Sequence, residues 1–235
     1  LLTYDNHGRM IPGAAASWTV SDDRLSYTFT LRDDGRWSNG DPVTAEDFPF
    51  GLRRMLDPKT GARYAEVLYP IRGAAAVNRR EAAPESLGVS APDARTVIVT
   101  MAEPVPYLLE LLTHQTSLPV HRPSIAQYGD AFTRPGRLVT NGPYALVDMV
   151  PNDRITLKKN PHFRDAASIA IDTVAFIPTP DLSSAVRRYA AGEIDSLSDL
   201  PADQMPSLKR RFGDQVQLSP ALGLMAIAVN TRKKP

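Results

Sequence analysis

Apolar and polar residues alternate most clearly in the segment YTFTLR at residues 27–32. A period of two is typical of a β-strand that buries one face. The strand leads into a charged turn that carries Trp37 and ends in Asn39-Gly40, a strong turn signal. A tryptophan on so polar a turn predicts a structural role, in which its ring packs on the strand and its indole N–H donates to a turn carbonyl.

The pattern of a helix start follows this turn. Thr44, with Asp47 three residues later, matches an N-cap with an acidic residue in the first turn. The helix is predicted over residues 45–56, and Asp57-Pro58 ends it. Pro49 lies inside this span, so we expect either a later helix start or a distorted first turn.

The rest of the chain alternates short strand and helix patterns. The predicted strands span residues 96–101, 144–150, 154–159, 173–177, 194–197, 216–218 and 224–229, and the pair within 144–159 forms a hairpin. The predicted helices span residues 107–114, 124–128, 183–191 and 202–212, with Pro206 interrupting the last one. This alternation predicts an α/β or α+β protein with a mixed sheet.

Composition narrows the class of protein. The chain has 235 residues, enough for one large domain or two modest ones, and its 43% apolar and 23% charged content is typical of a globular protein. A net charge of +1 gives no general attraction to nucleic acid or to an anionic membrane. The absence of cysteine excludes disulfides, thiolate catalysis and zinc–thiolate sites. No apolar run is long enough to span a membrane.

No pattern of catalytic or metal-binding residues stands out. None of the four histidines has a second histidine three or four residues away, and His114 and His121 are predicted at a loop or helix end. The nucleophile-elbow, phosphate-loop and dinucleotide motifs are all absent. Acidic pairs at turns and dispersed basic doublets are typical of solvated faces. Since nothing indicates catalysis, a binding function is the default by elimination.

Several segments carry a resemblance to a known family. They are, in chain order, HGRMIPG (7–13), ASW (16–18), WSNGDPVTAEDF (37–48), EPVPYLLELLTH (103–114), VTNGPYAL (139–146) and GEID (192–195). Their type, order and spacing resemble the family 5 extracellular solute-binding proteins, the peptide-binding components of ABC importers. The resemblance covers essentially the whole chain, and the oligopeptide binders are the nearest subgroup.

The resemblance implies a fold and a division of the chain. The implied fold is mixed α/β, the lobe of a type II periplasmic binding protein. Residues 1–120 would form a smaller subdomain, and residues 121–235 would form part of a larger mixed sheet. Family members are longer and close two lobes on their ligand. We therefore expect this chain, which opens on Leu1 without an initiator methionine, to be the N-terminal lobe of a longer protein.

The resemblance also implies which residues face the ligand. Tyr64 occupies the position of a tyrosine that lines the peptide site. The remaining implied positions follow GEID or belong to a strand that pairs with the ligand edge, and they are Ser198, Asp199, Ala221, Leu222 and Gly223. A half-buried loop tyrosine explains Tyr64 equally well, and a plain buried strand explains residues 221–223 equally well.

The implied function is that of a periplasmic, exported binding protein without catalytic activity or cofactor. Its partners would be a peptide or other small solute and an inner-membrane ABC permease, with no nucleic acid. An extended peptide would pair its main chain with an exposed strand edge of the lobe. Two alternatives stay open. The same scaffold could carry a nickel chelate, haem, an opine or a sugar, or the chain could belong to an α/β enzyme whose catalytic residues lie in the missing part.

Overall fold

The computed structural model describes residues 1–220 and Thr231, and it divides the chain into two compact units. The first unit spans Leu1–Ile177, and the second spans Pro178–Pro235. The predicted strand at residues 224–229 lies outside the described residues.

The described strands all lie in the first unit, and they form three antiparallel sheets. The first sheet pairs β1 (Leu2–Tyr4) with β2 (Met10–Pro12). The second has the order β3-β4-β6-β5, formed by β3 (Ala15–Val20), β4 (Ser26–Leu31), β5 (Val89–Ser90) and β6 (Thr96–Thr100). The third has the order β7-β8-β9, formed by β7 (Tyr144–Val150), β8 (Arg154–Lys159) and β9 (Thr173–Phe176).

Six α-helices are described, four in the first unit and two in the second. They are α1 (Asp47–Leu56), α2 (Ala74–Asn78), α3 (Leu108–Leu111), α4 (Arg122–Tyr128), α5 (Leu182–Ala190) and α6 (Met205–Phe212). Short 3₁₀ turns connect them at Pro58–Thr60, Ala65–Leu68, Pro84–Ser86, Gln115–Ser117, Gly129–Thr133, Ala166–Ser168, Ala202–Gln204 and Gly213–Gln215.

The core of the first unit lies on one face of the second sheet. The apolar positions of β4 are buried, as the alternation predicts, and Phe29 has no exposed surface. Phe29 pairs with Trp18 on β3 and with Val97 on β6. Phe48 and Leu52 of α1 belong to the same core. Each such side chain stabilises the fold by about 1.5–3 kcal/mol through the apolar surface that it removes from water.

Helix α1 begins at Asp47, two residues after the predicted start. Pro49 therefore lies in the first turn, where a backbone N–H has no partner within the helix and its loss costs nothing. The carboxylate of Asp47 turns back and accepts from the backbone N–H of Thr44 at 2.8 Å and from its hydroxyl at 3.2 Å. The helix ends at Leu56, before Asp57-Pro58, as predicted.

The third sheet contains the predicted hairpin but carries no core. Its turn places Asn152 in the left-handed region at a φ of 60°, which asparagine tolerates better than most residues. No residue of β7, β8 or β9 is buried. Apolar side chains at Val147, Met149 and Phe176 are instead exposed.

Three predicted elements differ from those observed. The helix predicted at 107–114 is α-helical only over Leu108–Leu111, because the hydroxyls of Thr113 and Ser117 donate to nearby backbone carbonyls and favour a tighter turn. The strands predicted at 194–197 and 216–218 do not form within the described part of the chain. A strand needs a neighbouring ladder, and no described segment provides one there.

The second unit packs α5 near α6. Asp181 caps α5 by accepting from the backbone N–H of Ser184 at 2.7 Å. The rings of Tyr189 and Phe212 meet edge to face, with centroids 5.4 Å apart. Pro206 lies in the first turn of α6 rather than interrupting a longer helix, because a 3₁₀ turn precedes it.

Candidate functional site

The polar turn at residues 37–41 holds Trp37 in a buried position, with 2% of its surface exposed. Its indole Nε1–H donates to Oδ2 of Asp47 at 3.3 Å. The predicted acceptor, a carbonyl of the turn, is therefore wrong. The carbonyl of Trp37 already accepts from Gly40 N–H at 2.9 Å, and a carboxylate at the start of a helix is a stronger acceptor.

The same turn contacts segments far away in the sequence. The backbone N–H of Ser38 donates to the carbonyl of Thr140 at 2.7 Å, and the N–H of Thr140 donates back to Ser38 Oγ at 3.2 Å. The ring of His121 lies edge-on to Trp37, with centroids 5.2 Å apart. These contacts join the second sheet to the start of α4 and to the segment before β7, so they support a structural role for the turn.

Asp41, His121 and Ser124 form a hydrogen-bonded chain that has the residue types of a catalytic triad. His121 Nε2 lies 3.0 Å from Asp41 Oδ2, and His121 Nδ1 lies 2.7 Å from Ser124 Oγ. However, His121 Nδ1 also accepts from the backbone N–H of Ser124, so the imidazole serves as the N-cap of α4. Both His121 and Ser124 are buried, which leaves the serine hydroxyl without access for a substrate.

The hydrogen bonds of this network change the pKa of Asp41. The side-chain amide of Asn39 and then His121 donate to its carboxylate, and these hydrogen bonds lower the pKa of Asp41 below its usual value of 3.8. His114 likewise accepts from the backbone N–H of Thr116 at the start of a 3₁₀ turn. The prediction that both histidines lie at a loop or helix end is confirmed.

Tyr64 lies in the first unit, immediately before the 3₁₀ turn Ala65–Leu68. It is 57% exposed, and its ring meets His114 edge to face with centroids 6.2 Å apart. Its hydroxyl makes no hydrogen bond to any residue that the structure describes. An exposed aromatic ring with an unused hydroxyl can stack on a ligand and also hydrogen-bond to it.

Ser198 and Asp199 lie together in the exposed loop after α5 in the second unit. Ser198 Oγ donates to Asp199 Oδ2 at 3.2 Å. Both residues line a cavity of about 430 Å³ between α5, α6 and this loop. The described residues that line it include two carboxylates, Asp195 and Asp199, and no lysine or arginine. The cavity therefore offers hydrogen-bond acceptors and negative charge beside an apolar wall.

Sequence reasoning missed the aromatic side of this cavity. Tyr189 and Phe212 line it from the ends of α5 and α6. The available signal was weak, because each stands at the last turn of a predicted helix, where apolar spacing indicates packing as readily as binding. The other predicted ligand positions, Ala221, Leu222 and Gly223, lie outside the described residues.

The described residues offer neither a metal site nor a membrane-spanning helix. Within them, no three histidine or carboxylate side chains come together in a way that suits a metal ion. None of the helices described has both the length and the apolar character that crossing a bilayer requires.

Comparison with known proteins identifies the class of protein. Residues 9–235 match the model of the bacterial extracellular solute-binding proteins, family 5 (middle). The chain belongs to this family. Family members bind solutes for transport and are not enzymes, so the alternative of an α/β enzyme finds no support in the comparison.

Particular relatives sharpen this assignment. The periplasmic oligopeptide-binding protein OppA of Escherichia coli (strain K12) is 38% identical over 238 residues, which cover 100% of this chain and 44% of that protein. A probable deoxycholate-binding periplasmic protein, YgiS, of the same organism is 36% identical over 237 residues, again covering 100% of this chain and 44% of its own. The chain thus spans less than half the length of these relatives.

Solved structures confirm the fold class. The structure of Haemophilus influenzae OppA in complex with RPPGFSPFR is 38% identical and matches with a TM-score of 0.87, covering 91% of this chain and 42% of that one. The predicted α/β fold of a type II periplasmic binding protein is therefore confirmed. The predicted subdomain division at residues 120 and 121 stays a prediction.

Proposed function

We propose that this chain forms one lobe of the substrate-binding component of an ABC importer, which captures peptides in the periplasm and presents them to an inner-membrane permease. The observation that carries the proposal is the match to the peptide complex of Haemophilus influenzae OppA over 91% of this chain. The two subdomains predicted from the sequence, residues 1–120 and 121–235, are part of the same proposal.

The proposed mechanism is main-chain recognition followed by closure. An extended peptide presents N–H and C=O groups that can pair with an exposed strand edge, independently of the peptide's sequence. Residues 221–223, which lie outside the described residues, are the ones that we propose to contact the main chain of the peptide. Closure of two lobes about a hinge would then bury the peptide and shift the open–closed equilibrium.

Three further residues would contact the cargo. The exposed ring of Tyr64 can stack on a side chain of the peptide, and its hydroxyl is available for a hydrogen bond to it. Ser198 Oγ and the carboxylate of Asp199 can accept from peptide N–H groups at the edge of the cavity. None of these groups needs to do chemistry, which agrees with a carrier that releases its cargo unchanged.

The test of cargo class uses the complete protein that contains this chain. It is incubated with a mixed peptide pool, washed, and the retained molecules are identified by mass spectrometry. Retained, unmodified peptides are the expected result. Cleaved or altered peptides, or no retained peptide at all, would overturn the proposal.

The test of the site compares two exposed tyrosines of the first unit. Tyr64→Ala is expected to weaken peptide affinity by about tenfold, the effect of losing one well-placed aromatic contact. Tyr107→Ala is the matched control, because Tyr107 is 50% exposed and was not assigned to the site. Equal affinities for both variants, measured by isothermal titration calorimetry, would remove Tyr64 from the site.

A second candidate function is carriage of a non-peptide solute on the same scaffold. The observation in its favour is the relative named as a probable deoxycholate-binding protein, which is nearly as similar as the oligopeptide binder. The same mass-spectrometry experiment decides between them, since a retained molecule that is not a peptide and that excludes peptides in competition would favour this candidate.

A further inference from the structure

Tyr64 and His114 are two exposed rings that meet edge to face in the first unit. Each stands immediately before a 3₁₀ turn, Ala65–Leu68 for the tyrosine and Gln115–Ser117 for the histidine, and these two turns are neighbours in space. The ring centroids are 6.2 Å apart and the ring planes are inclined at 72°, which is the geometry of an attractive edge-to-face pair. The contact therefore joins two segments that are distant in the sequence.

The ring of His114 is fixed by its own turn. Its Nδ1 accepts from the backbone N–H of Thr116 at 3.3 Å and lies 3.0 Å from the hydroxyl oxygen of the same residue. Ser117 Oγ donates to the carbonyl of His114 at 2.9 Å and to that of Leu112 at 2.8 Å. Thr116 and Ser117 are both buried. Backbone and imidazole of His114 are thus both held by hydrogen bonds to buried residues.

The segment that follows this turn packs directly on α1. A Cβ added at Gly51 of α1 would lie 3.1 Å from the carbonyl oxygen of Leu118 and 3.5 Å from Cα of Pro119. Gly51 and Pro119 are buried. So close an approach leaves little room for the segment to shift, because packed interiors resist small displacements. His114 therefore belongs to a rigid part of the first unit.

The side chain of Tyr64 has fewer restraints. It is 57% exposed, and its hydroxyl makes no hydrogen bond to any described residue. Within the described part of the chain, His114 provides the ring that contacts it. A side chain that rotates freely loses conformational entropy when a ligand fixes it, and a neighbour that already restricts the ring reduces that loss. His114 is placed to act as this neighbour.

We propose that His114 is a positioning residue of the candidate site, whose ring holds the ring of Tyr64 in the orientation that contacts the cargo. This inference rests on the proposed function, because Tyr64 is assigned to the site there. His114 acts through Tyr64 and does not itself need to touch the peptide. An edge-to-face pair shifts an equilibrium by about twofold to tenfold, which bounds the effect on affinity.

The competing role is that His114 only caps its 3₁₀ turn. The two roles use different parts of the side chain, since the cap needs the acceptor Nδ1 and positioning needs the ring. Asparagine offers a carbonyl oxygen in place of Nδ1 and keeps the cap, but it has no ring. Phenylalanine keeps a ring but has no acceptor. His114→Asn and His114→Phe therefore separate positioning from capping.

The test uses the complete protein and the most abundant peptide recovered from the mixed pool. Isothermal titration calorimetry is expected to show affinity weakened about fivefold in His114→Asn and kept within about twofold in His114→Phe. The matched control is His7→Asn, which changes an exposed histidine in the turn between β1 and β2 and should bind as wild type does. The opposite order, with affinity lost in His114→Phe and kept in His114→Asn, would overturn the proposal and leave His114 as a cap.

A double variant tests whether His114 acts through Tyr64. In the Tyr64→Ala background, His114→Asn should cause no further loss of affinity, because the ring that it positions is gone. A further loss of about fivefold would overturn the proposal, since His114 would then act independently of Tyr64. This comparison also decides the question if His114→Phe does not fold, because it needs only the asparagine variant.

A second measurement needs no peptide. Carbon-13 labelled tyrosine rings are observed by NMR in the ligand-free protein, and the signal of Tyr64 is identified by its loss in Tyr64→Ala. The signal is expected to move in His114→Asn and to stay near its wild-type position in His114→Phe. A Tyr64 signal that stays unmoved in His114→Asn would overturn the proposal, because the histidine ring would then not set the surroundings of the tyrosine.

The remaining outcomes distinguish this inference from the proposed function. If the wild-type protein binds peptide and Tyr64→Ala does not weaken it, Tyr64 leaves the site and the inference fails, while peptide capture stands. If Tyr64→Ala weakens binding and His114→Asn does not, the inference alone fails. Failure of wild type to retain any peptide overturns the proposed function, and the role of His114 in peptide binding fails with it.

Discussion

The second and third sheets of the first unit make an instructive pair. Both consist of antiparallel strands, and sequence patterns predicted strands in both. In the second sheet, β4 and β6 alternate between buried and less buried positions, and Phe29 has no exposed surface. In the third sheet no strand residue is buried, and Phe176 is 57% exposed.

The difference lies in what covers each sheet. Apolar residues of α1 join the core that includes β4 and β6. No described residue of β7, β8 or β9 belongs to that core. Strand pattern and sheet burial are therefore separate properties, because backbone pairing satisfies N–H and C=O groups whether or not a second layer packs on the side chains.

The largest expected effect comes from exchanging one phenylalanine in each sheet. Phe29→Ala should reduce the free energy of unfolding by about 3–5 kcal/mol, because it leaves a cavity in a closed core. The matched change Phe176→Ala should cost less than about 1 kcal/mol, because that side chain is already largely in water. Denaturant titration measures both. Equal losses would contradict the comparison and show that Phe176 is covered in solution.

A smaller loss of stability is expected at the turn and helix start that follow strand β4. Asp47→Ala removes the acceptor for Trp37 Nε1–H and for the backbone N–H of Thr44. Leaving these groups unpaired should cost about 1–3 kcal/mol. Glu46→Ala is the control, since among the described residues the Glu46 carboxylate pairs only with Arg53, at the surface, and its loss should cost below about 0.5 kcal/mol. Thermal unfolding that fails to separate the two variants would refute the role given to Asp47.

The stability of the third sheet should depend more on the turn between β7 and β8 than on buried side chains. Asn152 has a φ of 60°, so Asn152→Ala should cost about 1 kcal/mol, because alanine is strained in the left-handed region. Asn152→Gly should change stability by only about a few tenths of a kcal/mol, because glycine adopts this backbone freely. Hydrogen exchange of the amides in β7 and β8 would report the local change. Identical protection in the two variants would argue against a strained turn.

The smallest expected effect is a dependence of the free energy of unfolding on pH, and it arises from a carboxylate next to the second sheet. Backbone N–H of Arg95, first among several donors, holds the pKa of Asp93 below its usual value of 3.8. Near pH 3.8 the unfolded chain binds more protons than the folded one, so stability rises with pH there. The contribution is present above 3.8 and is lost as the pH falls below it through the lowered pKa.

The variant Asp93→Asn tests this contribution. Its loss of stability between about pH 7 and about pH 3 should be smaller than that of wild type, because one titrating group is gone. Denaturant titration at both pH values measures the difference. A variant that follows the wild-type pH profile would remove Asp93 from the account.

Local patterns predicted most of the elements in the described part of the chain. The strand at 27–32, the helix that ends before Asp57 and the hairpin at 144–159 are all present. The predictions were wrong where side chains compete with backbone N–H groups for the backbone carbonyls, as in the shortened α3. They were also wrong where a strand would need a partner strand, as at 194–197. Of the ligand positions implied by the family resemblance, Ser198 and Asp199 line one cavity, and their role in binding stays a prediction.

The sequence by itself determined the periodicity of the elements, the turn at residues 37–41 and the family resemblance, because each depends on residues close together in the chain. Only the tertiary structure decided that Trp37 donates to Asp47, that His121 caps α4 while bonded to Asp41, and that one sheet is buried and another is not. Asp41 and His121 are 80 residues apart. Their contact requires the long chain segment between them to fold back on itself, and no pattern of neighbouring residues predicts that contact.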